Sequence, residues 1–127
     1  MMESASAICG VYTDVNRDLL LAGALFHDSG KLWENHVPES GFGMPYDERG
    51  ELLGHITIGI ELLNSLWRKA AQEAGDTWDN LNPPSESVRL HLLHLVAAHH
   101  GEIEFGSPVV PKTPEAIALH YIDNLDA

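Results

Sequence analysis

Six side chains in this sequence have the chemistry of metal ligands, and they fall in four places: His27 and Asp28, His55, His99 and His100, and Asp123. Helical neighbours point about 100° apart, so an adjacent His–Asp pair can approach one ion from two directions. Imidazole and carboxylate together suit Mn, Fe, Zn or Ni better than Ca. Each place also has a plainer explanation. A His–Asp pair closing a helix serves equally well as a solvated turn. His55, inside "LLGHITIGIELL", reads alone as a core or boundary histidine. His99 and His100 are favourable charges at a helix C-terminus, and Asp123 alone is a surface acid. Together these explanations fail, because four helices each bring a metal-type residue to or near an end.

Other polar residues divide by angle. His94 lies about 140° around the helix from His99, and His91 about 180° from His100, so both read as surface or boundary residues. His120, three residues before Asp123, is expected to orient it. Asp126 lies where its helix should fray and reads as solvated. Lys31, one turn beyond the His–Asp pair, reads alone as a solvated lysine.

The elements that must position these residues are helical throughout, so the fold class is all-α. The first helix covers residues 3–13, without a strong cap. Asn16 caps a second, "RDLLLAGALFHD", which Gly30 ends. Residues 31–51, with Pro38, Gly41, Gly43, Pro45 and Gly50, read as an irregular connection of the length often found at functional sites. A third helix runs from Leu52 to Ala74 with Ile56, Ile60, Leu63, Leu66 and Trp67 on one face. After "GDTWDNLNPP" a fourth spans Ser85–His100 and stops at Gly101, and residues 102–112 are loop or short extended structure. The last helix starts at the Thr113 cap with Pro114 in its first turn and runs toward Asp126.

Composition narrows the class. The 127 residues suit one domain, and 44% hydrophobic with 20% charged residues is the balance of a soluble globular chain. No stretch approaches the roughly 20 apolar residues that a membrane helix needs. The N-terminus lacks a secretory signal, and Cys9 is the only cysteine, which suits a reducing compartment. The expected location is the cytoplasm. Nineteen acidic against seven basic residues give a net charge of −12, which repels phosphate backbones and argues against broad nucleic-acid binding by this domain alone. Eight histidines point instead toward metal chemistry.

The order His-Asp, His, His-His, Asp resembles that of the HD-domain superfamily of metal-dependent phosphohydrolases. "ALFHDSGK" is similar to its His-Asp signature with the following Gly-Lys. Within the superfamily, "LLLAGALFHDSGKLWE", "ELLGHITIGIELL" and "AAHHGEIEFGSPVVPKTPEAIALHYIDNLDA" resemble the HD domain of the YhaM-type 3′-to-5′ exoribonucleases, also called CMP-binding factors. The resemblance covers most of the chain from Asp18 onward, less residues 35–48. It implies a compact HD bundle of about five helices forming a single domain over residues 1–127, holding one or two divalent transition-metal ions. His27, Asp28, His55, His99, His100 and Asp123 would be the ligands, Asp28 central, with Asp28 and Lys31 carrying catalysis. The implied reaction is hydrolysis of phosphodiester or phosphomonoester bonds of nucleotides or nucleic acid through a metal-bound hydroxide. The partner is then a phosphate-containing small molecule or nucleotide.

Family members carry a further histidine upstream of the His–Asp pair, and no histidine precedes His27 here. The family's exonucleases also carry a separate nucleic-acid-binding domain ahead of the HD domain. The expectation is therefore a chain truncated at its N-terminus or a degenerate member, with weaker affinity at one metal position. Water or a partner chain in a homo-oligomer could replace the missing ligand. Two alternatives stand beside catalysis: a non-catalytic HD module that binds nucleotide or mediates assembly, and a structural helical domain with incidental histidines.

Overall fold

The computed structural model describes residues 1–34 and 48–126 of the chain. Among them, every regular element is helical: α1 (Met2–Val11), α2 (Arg17–Phe26), α3 (Lys31–Glu34), α4 (Glu48–Ala74), α5 (Asp76–Asp79), α6 (Ser85–Ala98) and α7 (Pro114–Asp126), with a 3₁₀ turn at Ile103–Phe105. α3 and α5 are four residues each, which leaves five longer helices, the number expected.

α2 and α6 are the centre of the bundle because both are apolar on more than one face. On one side Leu20 and Ala24 of α2 and Leu95 of α6 pack with Ala5 of α1 and Ala116, Leu119 and Ile122 of α7. On the other side Leu92 and Val96 of α6 pack with Leu63 of α4, joined by Leu19, Ala22, Phe26, Ile60 and Trp67. Leu20, Leu95 and Leu119 are wholly buried, each contributing about 1.5–3 kcal/mol of transfer free energy. Packing from both sides fixes the direction of α2 and α6, so their C-terminal ends are held firmly.

Caps mark the ends that the sequence predicts. The Asn16 side chain accepts a hydrogen bond from the Leu19 N–H at 3.0 Å, and the Thr113 hydroxyl accepts one from the Ala116 N–H at 3.1 Å. Glu115 is buried and accepts the Asn16 N–H at 2.8 Å, tying the start of α7 to the start of α2.

Several expectations are corrected. α1 ends at Val11 rather than 13, and α2 ends at Phe26 with His27 as its cap rather than running to Asp28. Residues 31–34 and 48–51, expected to be irregular, are helical; Pro38, Gly41, Gly43 and Pro45 of that connection lie outside the described residues. α4 therefore starts before Leu52, but Gly54 breaks it with φ 75° and ψ 160°, a backbone shape that glycine adopts without steric cost. The apolar stripe of α4 holds at Ile56 and Leu63, but Leu66 is exposed, and Ile58, outside the stripe, is buried. α6 ends at Ala98, two residues earlier than expected.

Gly30 does not end α2 by a left-handed turn. A β-carbon on it would collide with the backbone carbonyl of His55 and crowd the Gly59 nitrogen. Only a bare backbone lets the turn after α2 lie directly on α4. None of the described helices is long and apolar enough to cross a membrane.

Candidate metal centre

His27 and His99 occupy the same position on two different helices, the residue that caps the C-terminal end of α2 and of α6. Both rings fold back over the last turn. The Nδ1–H of His27 donates to the Ala24 carbonyl at 2.8 Å, and that of His99 to the Val96 carbonyl at 2.6 Å, in each case three residues back. His100 donates through Nδ1 to the Phe105 carbonyl at 2.8 Å. A ring whose Nδ1 carries the proton has a bare lone pair on Nε2. All three rings thus present an acceptor edge, fixed by a backbone carbonyl, toward one region. His55, immediately after the Gly54 break, brings its Nε2 to 3.2 Å from that of His100.

Asp28 lies in the middle. Its Oδ1 is 3.4 Å from His99 Nε2 and 3.7 Å from His55 Nε2. Its Oδ2 is 3.2 Å from His27 Nε2 and 3.3 Å from Lys31 Nζ. Asp123 Oδ1 stands 3.4 Å from His27 Nε2 on the other side. The six residues form two groups sharing Asp28: Asp28 with His55, His99 and His100, and Asp28 with His27 and Asp123. Within each, the ligand atoms lie within 4.8 Å of one another. Donors about 2.0–2.2 Å from a common ion stand roughly 3–4 Å apart, so both groups have the span of a coordination shell.

Electrostatics point the same way. His27 Nε2, His99 Nε2 and Asp28 Oδ1 are buried without a hydrogen-bond partner, although the imidazole edges face carboxylate oxygens. Acceptor against acceptor is costly in a buried site unless a positive charge stands between them. Without an ion, the protonated rings and Lys31 supply it. Burial disfavours the carboxylate of Asp28, but His27, His99 and Lys31 outweigh burial and hold it far below the usual carboxylate range. Burial also disfavours a charged His27 ring, yet contact with Asp28 raises its pKa. At His100 burial prevails and, with the neighbouring histidines, lowers the pKa. These are the conditions of a cation site.

The structure brings together all six residues expected from the sequence, drawn from four segments. Lys31 joins them, half-exposed, with its ammonium against Asp28. His91 and His94 stay apart, as expected: His91 is exposed, and His94 Nε2 accepts the Lys112 N–H at 3.0 Å. Asp126 is exposed and faces the Ser4 hydroxyl. The expectation for His120 is corrected. Its Nδ1 donates to the His99 carbonyl at 2.9 Å and its Nε2 faces Asn124 at 3.3 Å, so it steadies the end of α6 rather than Asp123. A strap at residues 102–107, unmarked in the sequence, also supports the centre. There the buried Ser107 hydroxyl sits 2.8 Å from the Ala97 carbonyl and 2.6 Å from that of Val109, holding the Phe105 carbonyl against His100. No pattern in "GEIEFGSP" marks that role.

A helical bundle that gathers histidines and aspartates from its helix ends around one shared aspartate defines a class. The chain belongs to the HD domain family, whose model matches residues 1–127. Over all 127 residues it is 46% identical to the 3′-5′ exoribonuclease YhaM of Bacillus subtilis (strain 168) and 45% identical to that of Bacillus velezensis (strain DSM 23117 / BGSC 10A6 / LMG 26770 / FZB42). Identity to the 3′-5′ exoribonuclease YhaM of Geobacillus sp. (strain WCH70) is 42%. The alignments cover 100% of this chain but only 36%, 36% and 35% of those relatives, so the chain spans about a third of their length. No solved structure gives a significant match. HD domains bind divalent metals and act on phosphate substrates. Family membership, these relatives and the His/Asp cluster together support a metal-dependent phosphohydrolase.

Proposed function

We propose that this chain is a hydrolytic domain that cleaves phosphodiester or phosphomonoester bonds of nucleotides or of an RNA end, using divalent metal held by His27, Asp28, His55, His99, His100 and Asp123. The observation that carries this reading is the set of buried edges without a hydrogen-bond partner, His27 Nε2, His99 Nε2 and Asp28 Oδ1, converging from two helix ends and the turn that follows one of them. A bound divalent ion supplies Lewis acidity and lowers the pKa of water toward neutrality. The residues of the chain do the rest. Asp28 is shared between the two groups and sets their separation. The carbonyls of Ala24, Val96 and Phe105 keep the protons of His27, His99 and His100 on Nδ1. Lys31 pairs with Asp28 at rest; once that carboxylate is otherwise engaged, its ammonium turns to a phosphate oxygen.

The two groups are unequal. One offers three imidazoles and a carboxylate, the other one imidazole and two carboxylates. The lighter group is where a histidine upstream of His27 would contribute, so we assign the tighter ion to the group of His55, His99 and His100. The imidazole-rich donor set favours Mn, Fe, Ni or Zn. A net charge of −12 opposes an RNA backbone, so grip on a long RNA requires basic surface from outside this domain.

The light group favours one further reading, an HD module that binds nucleotide without turnover. Stripping the protein with EDTA, reloading it with each metal and measuring both metal content and hydrolysis of bis(p-nitrophenyl) phosphate separates the two. Turnover that follows metal content is expected. Full metal loading without hydrolysis would leave the binding module as the reading.

A further inference from the structure

We infer that the cavity beside this centre is a nucleobase platform: it receives, by stacking on Phe105, the base of the nucleotide whose phosphate the centre holds. The inference rests on the hydrolytic reading above and adds where the rest of the substrate lies. A cavity of about 570 Å³ opens between the start of α4 and the strap after α6. Its walls include His55 and His100, so the candidate ligands are themselves one side of it. Its volume falls in the usual range for a small-molecule site.

Three of the other lining residues are large, apolar and exposed. Ile103 is 73% exposed, Phe105 65% and Leu53 46%, and all three face this one space. They join neither core cluster, so packing does not account for them. Nor is the strap that presents Ile103 and Phe105 a loose loop. Gly106 N–H returns to the Ile103 carbonyl at 3.0 Å, Ser107 N–H to Glu102 at 3.2 Å, and the Ser107 hydroxyl anchors it to α6. The Phe105 carbonyl holds His100, so one residue fixes a candidate ligand with its backbone and faces the cavity with its ring.

An exposed aromatic ring beside a phosphate-binding centre suits a base. Every base has a stacking face, so such a platform tolerates changes of sequence. Hydrogen-bond reading of base edges is sparsely provided for: of the two hydroxyl residues lining the cavity, Ser107 is buried and engaged with backbone carbonyls, which leaves Thr57. The platform therefore discriminates nucleotide from bare sugar phosphate more than one base from another.

The test compares adenosine 5′-monophosphate with ribose 5-phosphate by calorimetric titration into the Mn-loaded chain. The expected result is binding of the nucleotide on the order of tenfold tighter. Phe105→Ala should abolish that preference, read as the ratio of the two affinities on the same Mn-loaded variant so that any change at the metal centre cancels. Phe105→Trp should restore it. Equal affinities in the wild type, or a preference that survives Phe105→Ala, would overturn the inference. Hydrolysis of bis(p-nitrophenyl) phosphate is read in parallel. Turnover without nucleotide preference removes the platform alone, whereas preference without turnover removes the hydrolytic reading and leaves the platform.

Discussion

The two ends of α2 each carry a carboxylate from a partly or fully buried side chain, and they treat it in opposite ways. At the start of the helix, Glu115 accepts the Asn16 N–H and lies near the N-termini of both α2 and α7, where helix dipoles favour negative charge. At the far end, Asp28 follows the last turn of α2 and faces the cap of α6, where dipoles oppose it. Glu115 is at rest with what the chain provides. Asp28 is surrounded by imidazole edges that only a positive charge reconciles with it. Polar groups satisfied within the chain belong to the fold, and polar groups that wait for something belong to the function.

Changing each end separately sharpens that contrast. Asp28→Asn should leave the fold intact, abolish loading of both metal groups and lower phosphodiester turnover by on the order of 10³-fold or more, measured with metal content on the same sample. Retained turnover would break the comparison at its centre. Metal should act on stability only through the far end. At a hundred times its Kd, an ion stabilises by about 2.7 kcal/mol, a rise in Tm on the order of 10 °C that Asp28→Asn should remove. Glu115→Ala, at the near end, should cost about 1–3 kcal/mol in urea unfolding without changing turnover per folded molecule. Glu115→Gln, which keeps an acceptor, should cost less.

The smallest effect is one of pH. In EDTA-treated protein, the raised pKa of His27 means its contribution is complete below about 6.5 and fades as pH rises through the folded value. The depressed pKa of Asp28 means its contribution is complete above about 3.8 and fades as pH falls. The Tm difference between wild type and His27→Gln should therefore be largest between about pH 4 and 6.5 and shrink toward pH 9. A difference constant with pH would show that the pair is not coupled in this way.

How much of this the sequence discloses follows from what local patterns encode. Asn16 and Thr113 announce helix starts because a cap is a contact within four residues. The six candidate ligands stand out because unrelated helices end in the same few residue types. Glu115 was invisible, since its partner Asn16 lies 99 residues away and a glutamate in a first helical turn is unremarkable. Angular proximity points His120 toward Asp123, whereas its partner, the His99 carbonyl, lies on another helix where no local pattern reaches. Periodicity alone places Leu66 on the buried face of α4, yet it is exposed. Nothing local marks the break at Gly54, because a single glycine inside an apolar pattern is usually tolerated.

The contact of Gly30 with the backbone of His55 has a mechanical consequence. Because two main chains touch there with no side chain between them, the distance from the Asp28 turn to the first turn after Gly54 is set by peptide geometry, not by whatever sits between the side chains. A cage of fixed width admits guests by radius, where a cage of flexible arms would wrap around any of them. Gly30→Ala should pry the walls apart, and the measurable sign would be a changed ranking of Mn, Ni and Zn affinities rather than a uniform loss.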